Sequence, residues 1–437
     1  MSRAGRDKVA PKLFPMRMPR TGITLRALTT LAFAALLLLL LPAVRADAAT
    51  WTVKGGGFGH GIGMNAYGSY GMAQAGWSYK KILRHYYKRT RIEKIKKART
   101  VRVLLNVDNG KALFSGAKQA CGIDLNEKRT YAAKRRGNGV VLVRPNGKKL
   151  ANCGRRLRTE KDGKVLFKGI GRYRGGVEVV ESGGALNVIN AVGVNDYVKG
   201  VIPNESIPSW PMDALRAQAV VARGIALTGR VNGDGFDLYN DTRSQVYDSI
   251  ATEYDRTNRA AKQTASEIVT YKGKAALTVF SASSGGHTEN VENVWFAEPV
   301  PYLKGVDDEQ FDDVSPYHRW DYDFSSSALG DALGAKGRLK KVKITKYGVS
   351  KRVIWARIYG TGGITKVRGD TLQYALGLPD RLVFSIKRSR RRTADTRIDR
   401  TLSDPAQTSS VRPMLEGIGK AAPSTVPSAA PATTSEG

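Results

Sequence analysis

VNDYVKGVIPNESIPSWPMDALRAQAVVARGIAL, residues 194–227, joins a proline-punctuated turn to the clearest helix in the chain. Pro211 opens that helix, which the pattern carries from Met212 to about Thr228, with proline where a first turn tolerates it. Leu215, Ala219, Ala222 and Ala226 line its apolar face. Just ahead, Glu205 stands in a loop between Pro203 and Pro208, close to Trp210. Crowding of that kind restricts water around a carboxyl and raises its pKa, as a general acid requires. The alternative is a structural glutamate that caps the helix or pairs with Arg216 or Arg223.

Outward from this stretch, residues 177–180 and 185–192 read as strands, and 253–268 as a second amphipathic helix. Residues 275–281, 340–345 and 353–359 resume β structure. Upstream, 51–76 is rich in glycine and aromatics. Ser78 then caps a predicted helix over 79–87, with Ile82, Leu83, Tyr86 and Tyr87 on one stripe. Residues 101–107 form a predicted strand, and 108–175 a basic, glycine-punctuated set of short β segments. The sum is an α+β fold, mostly antiparallel sheet with a few helices and a small basic β-rich insert.

The 437 residues are enough for two or three domains. Hydrophobic residues at 41% and charged residues at 25% are globular values. Two cysteines exclude a disulfide-dense mini-protein, an iron–sulfur protein and a Cys-rich zinc module; four histidines leave little for a multi-histidine metal site. The N-terminus carries scattered Lys and Arg, an apolar run at 31–41, and Ala46-Asp47-Ala48, the anatomy of a secretory signal peptide. The alternative is a retained anchor, because the uncharged stretch from Arg26 to Arg45 holds 18 residues. Either way the folded part is expected outside the cytoplasm, secreted or cell-wall associated.

The formal charge is +33, unevenly spread. Residues 49–175 hold 30 Lys and Arg against 6 Asp and Glu, 176–330 hold 12 against 22, and 331–437 hold 21 against 8. In an exported protein, basic flanks meet anionic cell-wall polymers and lipid headgroups. Without a zinc finger, helix-turn-helix or RNP motif, nucleic acid is not expected. Cys121 and Cys153 share the exported part, where a pair tends to bridge; two unrelated buried thiols are the alternative. Beyond about residue 387 the chain is basic, then rich in Ala, Pro, Ser and Thr, and is expected to be disordered.

Residues 194–227, with DTRSQVY (241–247), FSASSGGHTE (280–289) and VWF (294–296), resemble the SpoIID/LytB family of sporulation and amidase-enhancer-like cell-wall proteins. The family pattern also has a glycine element, here GFGHGIGM (57–64) followed by Ile82-Leu83-Arg84-His85-Tyr86-Tyr87. In typical members that element closes the domain; here it opens the mature chain, and VRGDTLQYALGL (367–378) comes near the end. The order reads as a circular permutation. Gln373 stands where the pattern commonly has arginine. The expected division is a signal peptide at 1–48, the glycine element with its helix and first strand at 49–107, the insert at 108–175, the core at 176–386 and the tail at 387–437.

The resemblance implies a lytic transglycosylase acting on peptidoglycan strands lacking stem peptides, with Glu205 as catalytic acid and base. The alternative it implies is a non-catalytic wall-binding protein that enhances a partner amidase. Gln245, Asp241 and Thr242 offer donors and acceptors for sugar groups, although Asp and Thr also make routine turns. Tyr247 suits a hydrogen bond near the acid or stacking on a sugar; otherwise it is a core aromatic. Ser283, Ser284, Gly285 and Gly286 form a small-residue turn that a glycan can approach. His287, His60 and Arg223 complete the expected substrate-binding set, the two histidines being either cleft residues or structural ones. Some members bind zinc beside the glutamine motif, but residues 239–245 here contain neither Cys nor His. No metal and no cofactor are expected.

Overall fold

A computed structural model describes residues 50–97 and 99–389. The expected signal peptide at 1–48 and all but the first three residues of the expected tail lie outside them. The fold is α+β, with mostly antiparallel strands. Five helices bear on the site: α1 (Ala66–Gln74), α2 (Tyr79–Tyr86), α3 (Val194–Glu205), α4 (Met212–Thr228) and α5 (Asp255–Gln263).

A five-stranded sheet runs in the order Arg156–Arg158, Gly176–Ser182, Ala185–Gly193, Thr100–Asp108, Leu238–Tyr239. All its pairings are antiparallel except that of the short last strand. Val101, Val103, Val177, Val179 and Val188 share a buried core with Tyr197, Val201, Leu215 and Ala219 of α3 and α4. Pro211 precedes α4 and Asp213 lies in its first turn, where a carboxylate meets the positive end of the helix. Small side chains let α4 sit deep in the core; a Cβ at Gly224 would collide with Thr278. Ser78 caps α2 by accepting from the Lys81 N–H at 3.4 Å.

The helix expected over 253–268 stops early. α5 ends at Gln263, Ser266 takes a left-handed φ of 65°, and Glu267–Tyr271 is a strand paired with Arg91–Lys94. The β-branched run Ile268-Val269-Thr270 favours a strand over a helix. Of residues 275–281, Ala275 closes the short strand Lys274–Ala275, and Phe280–Ser281 forms a second.

Within 108–175, six strands make one antiparallel sheet ordered Lys149–Asn152, Gly139–Val143, Tyr131–Arg136, Lys111–Ser115, Lys164–Phe167, Gly171–Arg174. Its inner face, including Phe114, Tyr131, Val140, Leu142, Val165 and Phe167, belongs to the same core as the five-stranded sheet. Cys121 and Cys153 form a disulfide with Cα atoms 5.5 Å apart, 32 residues apart in sequence. Loop-closure entropy predicts that Cys121→Ser with Cys153→Ser lowers stability by roughly 3 to 4 kcal/mol, read from a urea melt. A change within about 0.5 kcal/mol would contradict this.

A further core gathers Trp51, Val53, Leu329, Val353, Ile358, Leu372 and Val383. Here strand Thr50–Gly56 lies between Trp320–Ser325 and Leu382–Ser389, antiparallel to both. Thr50 is the register partner of Ser389, so the first and last described residues are neighbours. That proximity is what a permuted chain order requires.

Candidate active site

The structure corrects the local setting of Glu205: it is the last residue of α3, with Pro203 inside the helix rather than in a loop. Pro203 is tolerated because it falls in the final turn. There the Asn204 side-chain amide donates to Gly200 O at 2.8 Å, and the Ser206 N–H donates to Ile202 O at 2.8 Å. Neither of the structural partners weighed for Glu205 takes it. Arg216 engages Asp213 and Gln263, and Arg223 engages Asn195.

Burial pushes the Glu205 carboxyl up to about 7, against the opposing pull of the Val246 N–H, which donates to Oε1 at 2.7 Å. The negative end of α3 acts in the same direction as burial. Oε2 has no hydrogen-bond partner among the described residues. One oxygen is therefore fixed and the other is left to carry the proton.

Glu205 opens into a cleft. Asn204, Ser206, Ile207 and Trp210 form its near side, from the end of α3 and the turn into α4. The facing wall comes from distant parts of the chain: Phe58, Ala66 and Tyr67 from the N-terminal element, with Phe280, Ala282 and Tyr317. Tyr67 meets Trp210 edge-on with centroids 5.2 Å apart, and Phe58 lies 4.6 Å from Tyr317. The Tyr67 and Tyr317 hydroxyls have no hydrogen-bond partner among the described residues, and Ser206 Oγ is buried without one. Glu205 is the sole carboxylic acid lining the cleft among the described residues.

The expected sugar-contacting residues lie behind this surface. Gln245 is 1% exposed, and its amide donates to Tyr197 OH and Ala222 O, both at 3.1 Å. The Tyr247 hydroxyl donates to Asn190 Oδ1 at 2.7 Å while its ring stacks on Tyr197 at 4.8 Å. These two anchored side chains flank Val246 and aim its N–H at Glu205; neither lines the cleft. Tyr247→Phe would leave Asn190 Oδ1 short of its donor. A stability loss of about 1–3 kcal/mol is expected in a urea melt; no loss would contradict the packing role.

None of the remaining candidates lines the cleft either. Arg223 is fully buried, donating to Asn195 Oδ1 at 2.9 Å and Glu267 O at 2.7 Å. Asp241 pairs with Arg243 at 2.7 Å beside an exposed Thr242. Ser283 and Ser284 donate to Asp312 and Asp308 at 2.9 and 2.6 Å, in a buried network with Asn65 and Tyr86. Gly285 and Gly286 carry φ of 69° and 101° in the turn that follows. His287 Nδ1 lies 2.6 Å from Thr288 O. His60 accepts from the Ile62 N–H at 3.0 Å, and burial holds its pKa down at about 4, so it is neutral. Together these contacts fasten the glycine element to the 280–289 segment, which sets the wall facing Glu205.

No group of three or more His, Cys, Asp or Glu placed to hold a metal occurs among the described residues. The residues that sequence reasoning missed are Tyr67, Tyr317 and Ser206. Ser206 adjoins the acid, but nothing local marks the two tyrosines.

The family model described as stage II sporulation protein, SpoIID, matches residues 182–271, which contain α3, α4, Glu205 and the 241–247 loop. This match, with the relatives below, supports the SpoIID/LytB family for this stretch of the chain. An uncharacterized protein of Brachyspira hyodysenteriae is 43% identical over 137 residues, 31% of this chain and 37% of that protein. The amidase enhancer of Bacillus subtilis is 39% identical over 106 residues, 24% of this chain and 14% of its own length. The stage II sporulation protein D of the same organism is 28% identical over 209 residues, covering 44% and 59%. Each match spans less than two thirds of the relative's own length.

Proposed function

We propose that this protein acts in the cell wall as a peptidoglycan lytic transglycosylase, cleaving strands of N-acetylmuramic acid and N-acetylglucosamine. The observation that carries the reading is a single carboxyl, protonated near neutral pH, facing an aromatic-walled cleft. Aromatic faces suit the apolar faces of pyranose rings, and the free Tyr67 and Tyr317 hydroxyls suit sugar hydroxyls. Glu205 Oε2–H donates its proton to the glycosidic oxygen as the muramic C1–O bond breaks, releasing the adjoining glucosamine as an alcohol. The carboxylate then takes the proton from the muramic 6-hydroxyl as O6 bonds to C1. A 1,6-anhydro end forms, Glu205 regains its proton, and no water is consumed. Hydrolysis with inversion would call for a second carboxyl to activate water.

The Val246 N–H holds Oε1 through both steps and stabilises the carboxylate between them. Export to the wall rests on the N-terminal sequence pattern; among the described residues no helix is long and apolar enough to cross a membrane. Likeness to an amidase enhancer favours the second reading, a wall-bound protein that assists an amidase. Digestion of purified peptidoglycan, with and without prior amidase treatment, separates the two by mass spectrometry of the products. Anhydro-muramic ends from amidase-treated strands are expected. Absence of any cleavage, with faster release of stem peptides when an amidase is added, would support the enhancer instead.

A further inference from the structure

We infer that the outward face of the six-stranded sheet in 108–175 binds a linear phosphodiester polymer of the cell wall. The inference stands apart from the cleft and from the reaction assigned to it. The strand sequences are KALFS (111–115), YAAKRR (131–136), GVVLV (139–143), KLAN (149–152), KVLF (164–167) and GRYR (171–174), with eight Lys and Arg and no Asp or Glu. Among those cations, only Arg174 has an ion-pair partner among the described residues, Glu253 at 2.7 Å.

Strand alternation fixes which residues point out. Ala112, Phe114, Tyr131, Ala133, Val140, Leu142, Val165 and Phe167 face the core, so Lys111, Lys134, Arg136, Lys164 and Arg172 fall on the opposite face. On that face Leu113, Ala132, Val141 and Val143 form a small apolar floor. The register sets Lys111 directly across from Lys134, Lys134 across from Val141, and Lys149 across from Val143. Cations therefore stand around an apolar strip, with Lys111 opposed to Lys134 and Lys164 opposed to Arg174, the one that Glu253 pairs. Opposed like charges on neighbouring strands weaken a sheet. Two acids lie close in sequence: Asp162, exposed two residues before Lys164, and Asp108, which is engaged in the turn, accepting from the Gly110 and Lys111 N–H groups at 2.8 and 2.9 Å.

A repulsive arrangement whose lysines have no ion-pair partner among the described residues is relieved by an external anion. The face also narrows the class of polyanion. Its aromatics all point inward, so it offers no stacking platform for bases. None of the large exposed hydrophobic residues lies between 108 and 175, so nothing there inserts into a bilayer. What remains is charge spaced along an extended chain, read by lysine point charges.

Fluorescence anisotropy with a labelled poly(glycerol phosphate) chain tests this on the purified protein. The variant Lys111→Gln/Lys134→Gln/Lys149→Gln is compared with Lys88→Gln/Lys274→Gln/Lys340→Gln, which removes the same charge elsewhere. The face variant is expected to bind at least about tenfold more weakly and to lose part of the salt dependence, the control to stay within about threefold. The face variant should melt no lower than wild type, since the opposed lysines are gone. Equal losses in both variants would overturn the inference, as would equally tight wild-type binding to anionic vesicles or to a single-stranded oligonucleotide.

Discussion

Glu205→Gln is expected to abolish glycan cleavage and to stabilise the fold at mildly alkaline pH. The amide has no proton to give the leaving oxygen and cannot take one from the muramic hydroxyl, so both halves of the reaction fail. General acid–base contributions of about 10²–10⁴-fold each set the scale, and a loss of at least about 10³-fold in anhydro-end formation is expected. The stability effect follows from linkage. The folded pKa of about 7 lies above the unfolded value of a glutamate, so folding favours the protonated form. That contribution is fully present below the unfolded pKa and is lost as pH rises through about 7. Glutamine is neutral throughout and keeps an acceptor for the Val246 N–H. The variant should therefore melt higher than wild type at about pH 8 and lose most of that advantage by about pH 5 and the rest below the unfolded pKa. A variant that is less stable at every pH would mean Glu205 is held as a carboxylate.

Asp380→Ala is expected to produce the largest loss of stability. Arg352 and Asp380 are 1% and 0% exposed as side chains, and meet through two hydrogen bonds, Nε to Oδ1 at 2.9 Å and Nη2 to Oδ2 at 2.6 Å. Arg352 also donates to His287 O, Ser284 O and Ser350 Oγ. A Cβ at Gly61, whose φ is 69°, would collide with its guanidinium. The pair is thus the joint between the glycine element, the 280–289 segment and the last strands. Without Asp380 an uncompensated cation stays buried, at a cost of about 3–5 kcal/mol. A fall of that size in a urea melt is expected, with weaker glycan cleavage as the Phe58–Tyr67 wall loosens. A loss under about 1 kcal/mol would contradict the joint.

These two residues show what sequence can and cannot disclose. Helix α4 was legible because Pro211, the small apolar face and the end near Thr228 all have local causes. Glu205 was legible as an acid in a crowded setting, but not as the end of a helix, because Pro203 is compatible with either. The resemblance marked Gln245 and Tyr247 without separating contact with substrate from support of Val246; only their burial and partners do that. Tyr67 and Tyr317 are brought to Glu205 by topology across more than a hundred residues, which no local pattern records. Likewise the basic charge of 108–175 was visible in composition, whereas its placement on one sheet face depends on register.

The most direct test of the central claim is a rate–pH profile for anhydro-muramic end formation on amidase-treated peptidoglycan, with Glu205→Gln as the blank. A protonated Glu205 acting as the acid predicts that the rate falls about tenfold per pH unit above about 7, and that the blank forms no anhydro ends. A rate flat through about pH 9, products with reducing ends, or anhydro ends from the blank would contradict it.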